Sequence, residues 1–204
     1  MKTLLLTGFE PFLQLTVNPT MKIVEQLNGL EINGHRIVGK ILPVDFRASG
    51  KELLQLLEVE KPEVHISLGL AAGRYKITPE RVAINVQDGD ADNKGNRPVD
   101  EVIQANGEPG YFSTLPIRKM VEKLIQNGFP AEISNTAGTY LCNNVMYEAL
   151  HYAQKSNNKL ISGFIHIPAS HELAIAHGKI PSWSHEDLKN SIITCIGVLE
   201  HHDN

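Results

Sequence analysis

The stretch from Ser134 to Tyr147, SNTAGTYLCNNVMY, marks a change from strand to helix. A short β-prone run at residues 131–134 leads into small polar residues and one glycine, Gly138. A helical pattern then begins near Leu141, with apolar residues recurring on one face. The sequence therefore predicts a strand, a turn and a helix in succession, and the rest of the chain can be compared with this unit.

Cys142 falls in the first turn of this predicted helix. A thiol at that place faces unpaired backbone N–H groups and the positive end of the helix dipole, and both favour the reactive thiolate. Most free cysteines are instead small buried side chains without chemistry. Position alone leaves both interpretations open, a nucleophile and a structural residue.

Composition narrows the class of protein. The 204 residues are 42% hydrophobic and 21% charged, with a net charge of −4. This length suits a single domain over residues 1–204 with a sizeable core. The charge argues against nucleic acid or an anionic membrane as the main partner. No apolar run is long enough to span a membrane, and the apolar run near the N-terminus is too short for a signal peptide.

The two cysteines, Cys142 and Cys195, carry no CxxC or Cys/His metal spacing and are too few for a disulfide scaffold. They indicate reduced thiols and a cytoplasmic location. Cys195 lies on the apolar stripe of the last predicted helix and is expected in the core. His65, inside a buried strand, is expected to be a core or edge histidine, whereas His171 and His177 fall in a predicted surface loop.

Predicted strands and helices alternate along the whole chain. The strands are expected at residues 2–7, 35–44, 64–70, 82–86, 131–134 and 160–168. The helices are expected at residues 18–28, 46–59, 113–127, 141–154 and 184–199. This alternation predicts a three-layer α/β/α domain, similar to phosphorylases and hydrolases, with a largely parallel, mixed central sheet.

Three residues with reactive side chains fall at comparable places in this pattern. Cys142 follows one strand at a helix start, His166 ends the next strand, and Glu80 lies in the turn before another. A thiol, an imidazole and a carboxylate are the parts of an activated nucleophile. His166 would hold the thiol proton, and Glu80 would orient the imidazole. Backbone N–H groups at the helix start are candidate donors to an oxyanion.

Two phenylalanines lie in the loop after the first strand, in the motif GFEPF at 8–12. Open α/β sheets bind ligands at the carboxyl ends of their strands, where this loop is expected. Aromatic side chains more often fill the core. Two rings in one short loop shift the interpretation of Phe9 and Phe12 towards a binding pocket.

The motifs together resemble the pyroglutamyl peptidase I family (pyrrolidone-carboxylate peptidases), which are cysteine peptidases. The matching stretches are GFEPF at 8–12, Asn18-Pro19, LGLAAGRYKITPERVAIN at 68–85, YFSTLPI at 111–117, SNTAGTYLCNNVMY at 134–147 and GFIHIP at 163–168. The resemblance places the family's glutamate, cysteine and histidine on Glu80, Cys142 and His166. It also implies that Phe9 and Phe12 enclose the pyroglutamyl ring.

This resemblance implies that the protein removes an N-terminal pyroglutamyl residue from peptides, without a metal or cofactor, as a cytoplasmic homo-oligomer, commonly a tetramer. One departure concerns residues 88–93, DGDADN, where many members read DARIPDN. The arginine of that motif has been considered near the oxyanion. The sequence therefore predicts that backbone donors alone, or Arg74, serve the oxyanion here.

Two other functions remain open from the residues alone. The first is a small-molecule-binding or glycosyl-transferring domain of the nucleoside-phosphorylase type, in which Cys142 is structural. The phosphate-cradling motifs expected for it are missing from the sequence. The second is an inactive homologue kept for assembly, against which the presence of Glu80, Cys142 and His166 argues.

Overall fold

Ten strands and six helices alternate in the computed structural model, which describes residues 2–12, 15, 17–156 and 159–199. The strands are β1 Lys2–Phe9, β2 Glu31–Ile32, β3 His35–Leu42, β4 Val64–Leu70, β5 Thr78–Pro79, β6 Val82–Ile84, β7 Gly110–Phe112, β8 Ile161–Ile167, β9 Ala169–Ser170 and β10 Ser182–Trp183. The helices are α1 Pro19–Leu27, α2 Ser49–Glu60, α3 Ile117–Gln126, α4 Leu141–Lys155, α5 His171–His177 and α6 His185–Ile196.

The central sheet has six strands in the order β2-β3-β1-β4-β8-β5. Strands β3, β1, β4 and β8 run parallel, and the short edge strands β2 and β5 are antiparallel to their neighbours. The largely parallel, mixed sheet predicted from the alternation is therefore confirmed. Parallel strands bring their carboxyl ends to one edge of the sheet, so the loops after β1, β4 and β8 meet there.

Helices cover both faces of this sheet. Successive side chains of a strand point to opposite faces, so Leu4 and Leu6 of β1 enter one core and Leu5 enters the other. The first core is shared with α1, α3 and α6, and the second with α2 and α4. The predicted three layers are thus present, and Cys195 is fully buried in the first core, as expected.

Two predicted boundaries are wrong. The helix expected over 113–127 begins only at Ile117. Pro116 occupies its N-cap, and the Thr114 hydroxyl donates to the carbonyl of Ser162 in β8 instead of capping the helix. The helix expected over 46–59 begins at Ser49. None of the described helices combines the length and the apolar character needed to cross a membrane.

Three further differences lie near the sheet's carboxyl edge. Residues 131–134 form only isolated bridges, Ile77 with Ala131 and Glu80 with Ser134, and no strand. The strand expected over 82–86 ends at Ile84 and lies outside the central sheet, where it pairs with β7 in a two-stranded antiparallel sheet. The segment expected to be a surface loop after β8 contains the short helix α5, capped by the Ser170 side chain.

Candidate active site

Cys142 is the second residue of α4, in the first turn, as predicted. The helix begins where Tyr140 adopts an extended conformation, and the Tyr140 side chain forms no capping hydrogen bond. The N–H groups of the first turn therefore receive no bond from the N-cap side chain and remain suited to a ligand. The thiol is partly exposed and carries no disulfide.

Asn143 fixes the start of α4 to the end of β6 and the residues just after it. Its Oδ1 accepts from the Ile84 N–H at 2.9 Å, and its Nδ2 donates to the carbonyls of Ile84 at 2.8 Å and Val86 at 2.9 Å. Asn143 is fully buried, so these bonds are shielded from water. This anchor was not predicted, because nothing in the residues beside Asn143 indicates which strand its side chain contacts.

The imidazole of His166 and the carboxyl group of Glu80 are joined directly. Nδ1 of His166 lies 2.7 Å from Oε1 of Glu80, and both residues are buried. The antiparallel pairing of β5 with β8 brings them together, since Thr78 pairs with His166 and the Glu80 N–H donates to the Phe164 carbonyl at 2.9 Å. Because a carboxylate only accepts hydrogen bonds, Nδ1 carries the proton and Nε2 is left for Cys142.

Burial and charge act in opposite directions on this pair. Burial disfavours the imidazolium, but the charge and hydrogen bond of Cys142 and the hydrogen bond of Glu80 raise the pKa of His166 to about 9. Burial likewise works against the charged form of Glu80, yet the hydrogen bond and charge of His166 lower the pKa of this carboxyl group overall. The Cys142 sulfur and the Glu80 carboxyl group thus both favour the protonated imidazole of His166.

Arg74, which the sequence offered as a partner for an oxyanion, is directed at Glu80. Its Nη1 donates to Glu80 Oε1 and to the Thr78 hydroxyl, both at 2.6 Å, and its Nη2 donates to the Thr136 carbonyl at 3.2 Å. These contacts use both terminal nitrogens. The structure therefore gives Arg74 a place behind the carboxylate and not beside the thiol.

Gly69 makes room for the thiol above the sheet. It pairs with His166 across β4 and β8. A Cβ atom at Gly69 would lie 2.6 Å from the Phe164 ring and 3.0 Å from the Cys142 sulfur. A side chain at this position would occupy the space in which the sulfur and the ring lie. The sequence shows a glycine before a small-residue turn but not what approaches it.

A cavity of about 260 Å³ opens beside the thiol and the imidazole. Its lining is mostly apolar and consists of Phe9, Phe12, Asn18, Val44, Leu70, Ala137, Tyr140, Leu141, Cys142 and His166. The structure thus brings both phenylalanines of the GFEPF motif to the same cavity as Cys142 and His166. Phe9 is 4% exposed and packs against Phe164, whereas Phe12 is half-buried.

The segment 88–93 lies behind the start of α4. The Asp88 N–H donates to the Thr139 carbonyl at 2.9 Å, and the Thr139 hydroxyl returns a bond to the Asp88 carbonyl at 3.0 Å. The Asp92 side chain accepts from the Phe46 N–H at 2.8 Å, beside the cavity. Arg97, the nearest arginine in sequence, lies on the exposed surface 3.8 Å from Asp90. No arginine stands among the described residues that line the cavity.

Comparison with known families gives one match that covers nearly the whole chain. Residues 1–201 match the family described as Pyroglutamyl peptidase. A pyrrolidone-carboxylate peptidase of Oceanobacillus iheyensis is 54% identical over 200 residues, which are 98% of this chain and 100% of that protein. One from Lysinibacillus sphaericus is 57% identical over 196 residues, 96% of each chain.

Solved structures show the same likeness in three dimensions. The pyrrolidone carboxyl peptidase of Thermococcus litoralis superposes with a TM-score of 0.93 at 39% identity, covering 96% of this chain and 92% of that one. A mutant pyrrolidone carboxyl peptidase from Pyrococcus furiosus superposes with a TM-score of 0.92 at 41% identity, covering 96% and 97%. Each likeness covers more than nine tenths of both chains.

Proposed function

The chain belongs to the pyroglutamyl peptidase family, and from this membership we propose that Cys142, His166 and Glu80 are the catalytic triad of the enzyme. The protein is a cysteine-type pyroglutamyl peptidase, a hydrolase that removes the pyroglutamyl residue from the N-terminus of peptides. The assignment of roles rests above all on the 2.7 Å contact between His166 and Glu80, beside a partly exposed thiol at a helix start.

In the acylation step, the Cys142 thiolate attacks the carbonyl carbon of the pyroglutamyl residue. The carbonyl oxygen becomes an oxyanion, for which the first N–H groups of α4 are the proposed donors. As the tetrahedral intermediate collapses, the C–N bond breaks and the His166 imidazolium gives its Nε2 proton to the leaving amine. The products are a thioester on Cys142, a neutral His166 and a free peptide with a new N-terminus.

In the deacylation step, neutral His166 takes a proton from water while the water oxygen adds to the thioester carbon. The second tetrahedral intermediate releases pyroglutamic acid and returns Cys142 as a thiolate beside an imidazolium. Glu80 holds the tautomer with the proton on Nδ1, so Nε2 is free to accept at this step. One carboxylate therefore serves both half-reactions without exchanging a proton itself.

We assign the pyroglutamyl ring to the cavity between Phe9 and Phe12. The ring is compact and uncharged, which suits an apolar space of about 260 Å³. An uncyclised N-terminal Glu or Gln carries an ammonium group, and burying that group unpaired would cost several kcal/mol. The cavity therefore explains discrimination against ordinary N-termini by the charge that it cannot accommodate.

The phosphorylase-like alternative has no support from the comparisons, and the matching family and the relatives described above are peptidases. We propose further that residues 1–204 act as one domain in the cytoplasm and assemble as a homo-oligomer, a tetramer by the family resemblance. Exposed apolar side chains on the β6–β7 sheet favour assembly, since Phe112 is 71% exposed and Ile84 is 38% exposed. Light scattering coupled to gel filtration measures the oligomeric state directly.

Alkylation tests the role of Cys142. Iodoacetamide should abolish hydrolysis of a pyroglutamyl-coumarin amide in step with the attachment of one carbamidomethyl group per chain. Burial raises the pKa of Cys195 to about 12, so this second thiol should remain unlabelled in the folded protein. The variant Cys142→Ser should bind substrate with almost no turnover. Full activity after complete labelling of Cys142 would contradict the proposal.

A further inference from the structure

Arg74 contacts the proposed triad at the carboxyl group of Glu80. It lies in the loop after β4, and its Nη1 donates at 2.6 Å to Glu80 Oε1, the oxygen that also bonds His166 at 2.7 Å. We propose that Arg74 is a positioning residue that keeps Glu80 ionised and fixed in orientation, above all while the acyl-enzyme exists. This inference rests on the proposed triad of Cys142, His166 and Glu80.

The guanidinium joins three segments that build the site. Besides Glu80, it donates to the Thr78 hydroxyl of β5 at 2.6 Å and to the Thr136 carbonyl at 3.2 Å, in the loop that leads to Cys142. A planar guanidinium with donors in a fixed fork can hold these acceptors at once, whereas an ammonium group is a single point of charge. Arg74 therefore fixes the carboxylate relative to the loop before the nucleophile.

Charge balance shows when this contact matters most. In the proposed resting site, four charged groups have a net charge of zero. They are the thiolate of Cys142, the imidazolium of His166, the carboxylate of Glu80 and the guanidinium of Arg74. In the acyl-enzyme, the sulfur is a neutral thioester and His166 has given up its proton, so the carboxylate keeps only Arg74 as a countercharge. A buried carboxylate without a countercharge takes up a proton. A protonated Glu80 would no longer hold the Nδ1–H tautomer that deacylation needs.

The surroundings of Glu80 leave few substitutes for Arg74. The charged or titratable groups that the structure describes against this carboxyl group are His166 from β8 and Arg74, while the neutral Ser134 hydroxyl faces it from the loop before α4. Its second oxygen, Oε2, is buried without a hydrogen-bond partner among the described residues. The ionised form thus depends on His166 and Arg74, the two donors that share Oε1, and on the Ser134 hydroxyl, whose hydrogen bond also lowers the pKa of this carboxyl group.

Two substrates with the same acyl group separate the half-reactions. A pyroglutamyl 4-nitrophenyl ester has a good leaving group, so its turnover reports deacylation, and a pyroglutamyl-coumarin amide reports acylation. For Arg74→Met we expect turnover of the ester to fall roughly tenfold to a hundredfold, the loss of one hydrogen bond between charged groups. We expect turnover of the amide to fall less. In the pH profile of kcat for the ester, the acidic limb should shift to higher pH by about one unit or more.

Three further variants supply the controls. Arg81→Met removes a guanidinium that bonds Asn135 in the same loop, at 2.7 Å, without contacting Glu80, and should leave both substrates unaffected. Arg74→Lys keeps the charge and should restore the acidic limb, with part of the rate. Arg74→Gln is a second neutral variant and should show the same shift of the acidic limb. It replaces Arg74→Met as the test if Arg74→Met does not fold.

The outcomes separate this inference from the proposed triad. The inference about Arg74 would be overturned if a folded neutral variant hydrolysed the ester at the wild-type rate and kept the acidic limb at the wild-type pH. It would also be overturned by a loss of rate without a shifted limb, or by an equal loss in Arg81→Met, because either result would mean that Arg74 only stabilises the loop. Wild-type turnover by Cys142→Ser would instead remove the triad. An inactive Cys142→Ser beside an unaffected Arg74→Met would leave the triad standing and reject only the role of Arg74.

Discussion

Gly69 and the Cys142 sulfur compete for one space: a Cβ atom on Gly69 would lie only 3.0 Å from Sγ. The same atom would lie 2.6 Å from the Phe164 ring, so neither neighbour can accept it without moving. The strand that carries Gly69 is paired with the one that carries His166. The absence of a side chain on β4 therefore sets how closely the thiol approaches the imidazole.

Gly69→Ala should for this reason impair catalysis more than folding. Overpacking of this kind costs roughly 1–3 kcal/mol of stability, whereas a displacement of about 1 Å at a reacting atom can cost about a hundredfold in rate. We expect kcat/KM to fall by roughly that factor while the folded state persists in thermal unfolding. Gly73→Ala is the matched control, because nothing lies within 4 Å of a Cβ atom there. Equal effects of the two substitutions would contradict this account.

The protonation of His166 should depend on its two neighbours to different extents. Burial opposes the charge, and the Cys142 charge is the largest contribution that raises the pKa, ahead of Glu80. In NMR titrations, the wild-type His166 ring should therefore titrate near pH 9. We expect Cys142→Ser to lower this pKa more than Glu80→Gln does. The reverse order would mean that the carboxylate, and not the thiolate, stabilises the imidazolium.

His65 should make the fold sensitive to acid. It is fully buried, with Nδ1 2.9 Å from the Ser162 hydroxyl and Nε2 3.0 Å from the Ser67 hydroxyl. Burial lowers its pKa from 6.5 to about 3, so the unfolded state binds the proton first. The free energy of unfolding should fall by about 1.4 kcal/mol for each pH unit from about pH 6 down towards pH 3.

A variant isolates this contribution. Burial also lowers the pKa values of His151 and His185, which act in the same direction, so the comparison must be made between proteins and not on the wild type alone. In His65→Asn, urea unfolding should show a shallower loss of stability between pH 6 and pH 4.5 than the wild type. Identical slopes, or a His65 ring that titrates near pH 6.5, would show that this histidine does not contribute.

Phe12→Ala should weaken substrate binding with a smaller effect on chemistry. The ring is half-buried and lines the cavity into which Cys142 and His166 open. We expect KM for the pyroglutamyl-coumarin amide to rise more than kcat falls, because the ring contacts substrate and transition state alike. Phe9→Ala should also lower stability, since Phe9 is buried in the second core. A fall in kcat at unchanged KM would mean that Phe12 orients the reacting groups.

The sequence predicted those features that neighbouring residues determine. Cys142 could be placed in the first turn of a helix because the apolar pattern begins beside it. The contact between Glu80 and His166 joins residues 86 positions apart. It depends on the pairing of β5 with β8, which no local sequence pattern predicts. The family resemblance implied that Glu80 and His166 act at one site, which the local sequence could not show. The direction of Arg74 depends on where β4 and β5 end, so its contact with Glu80 could not be foreseen.

The errors have the same origin. Residues 131–134 have the composition of a strand. Only Ala131 and Ser134 form β-bridges, with Ile77 and Glu80, so isolated bridges are present instead of a strand. Thr114 has a hydroxyl that could cap a helix, yet this hydroxyl donates to the carbonyl of Ser162 in β8. In both cases a contact from a distant part of the chain decided between two structures that the local sequence allows.

The two cysteines lie on opposite faces of the central sheet, Cys195 within one core and Cys142 against the other. An oxidant that converts Cys142 to a sulfenic acid would therefore find no resolving thiol in the same chain to capture it as a disulfide. Recovery would depend on small thiols from outside, and continued exposure would carry the sulfur on to irreversible acids. The separation that keeps Cys195 inert thus leaves the enzyme without an internal safeguard against peroxide.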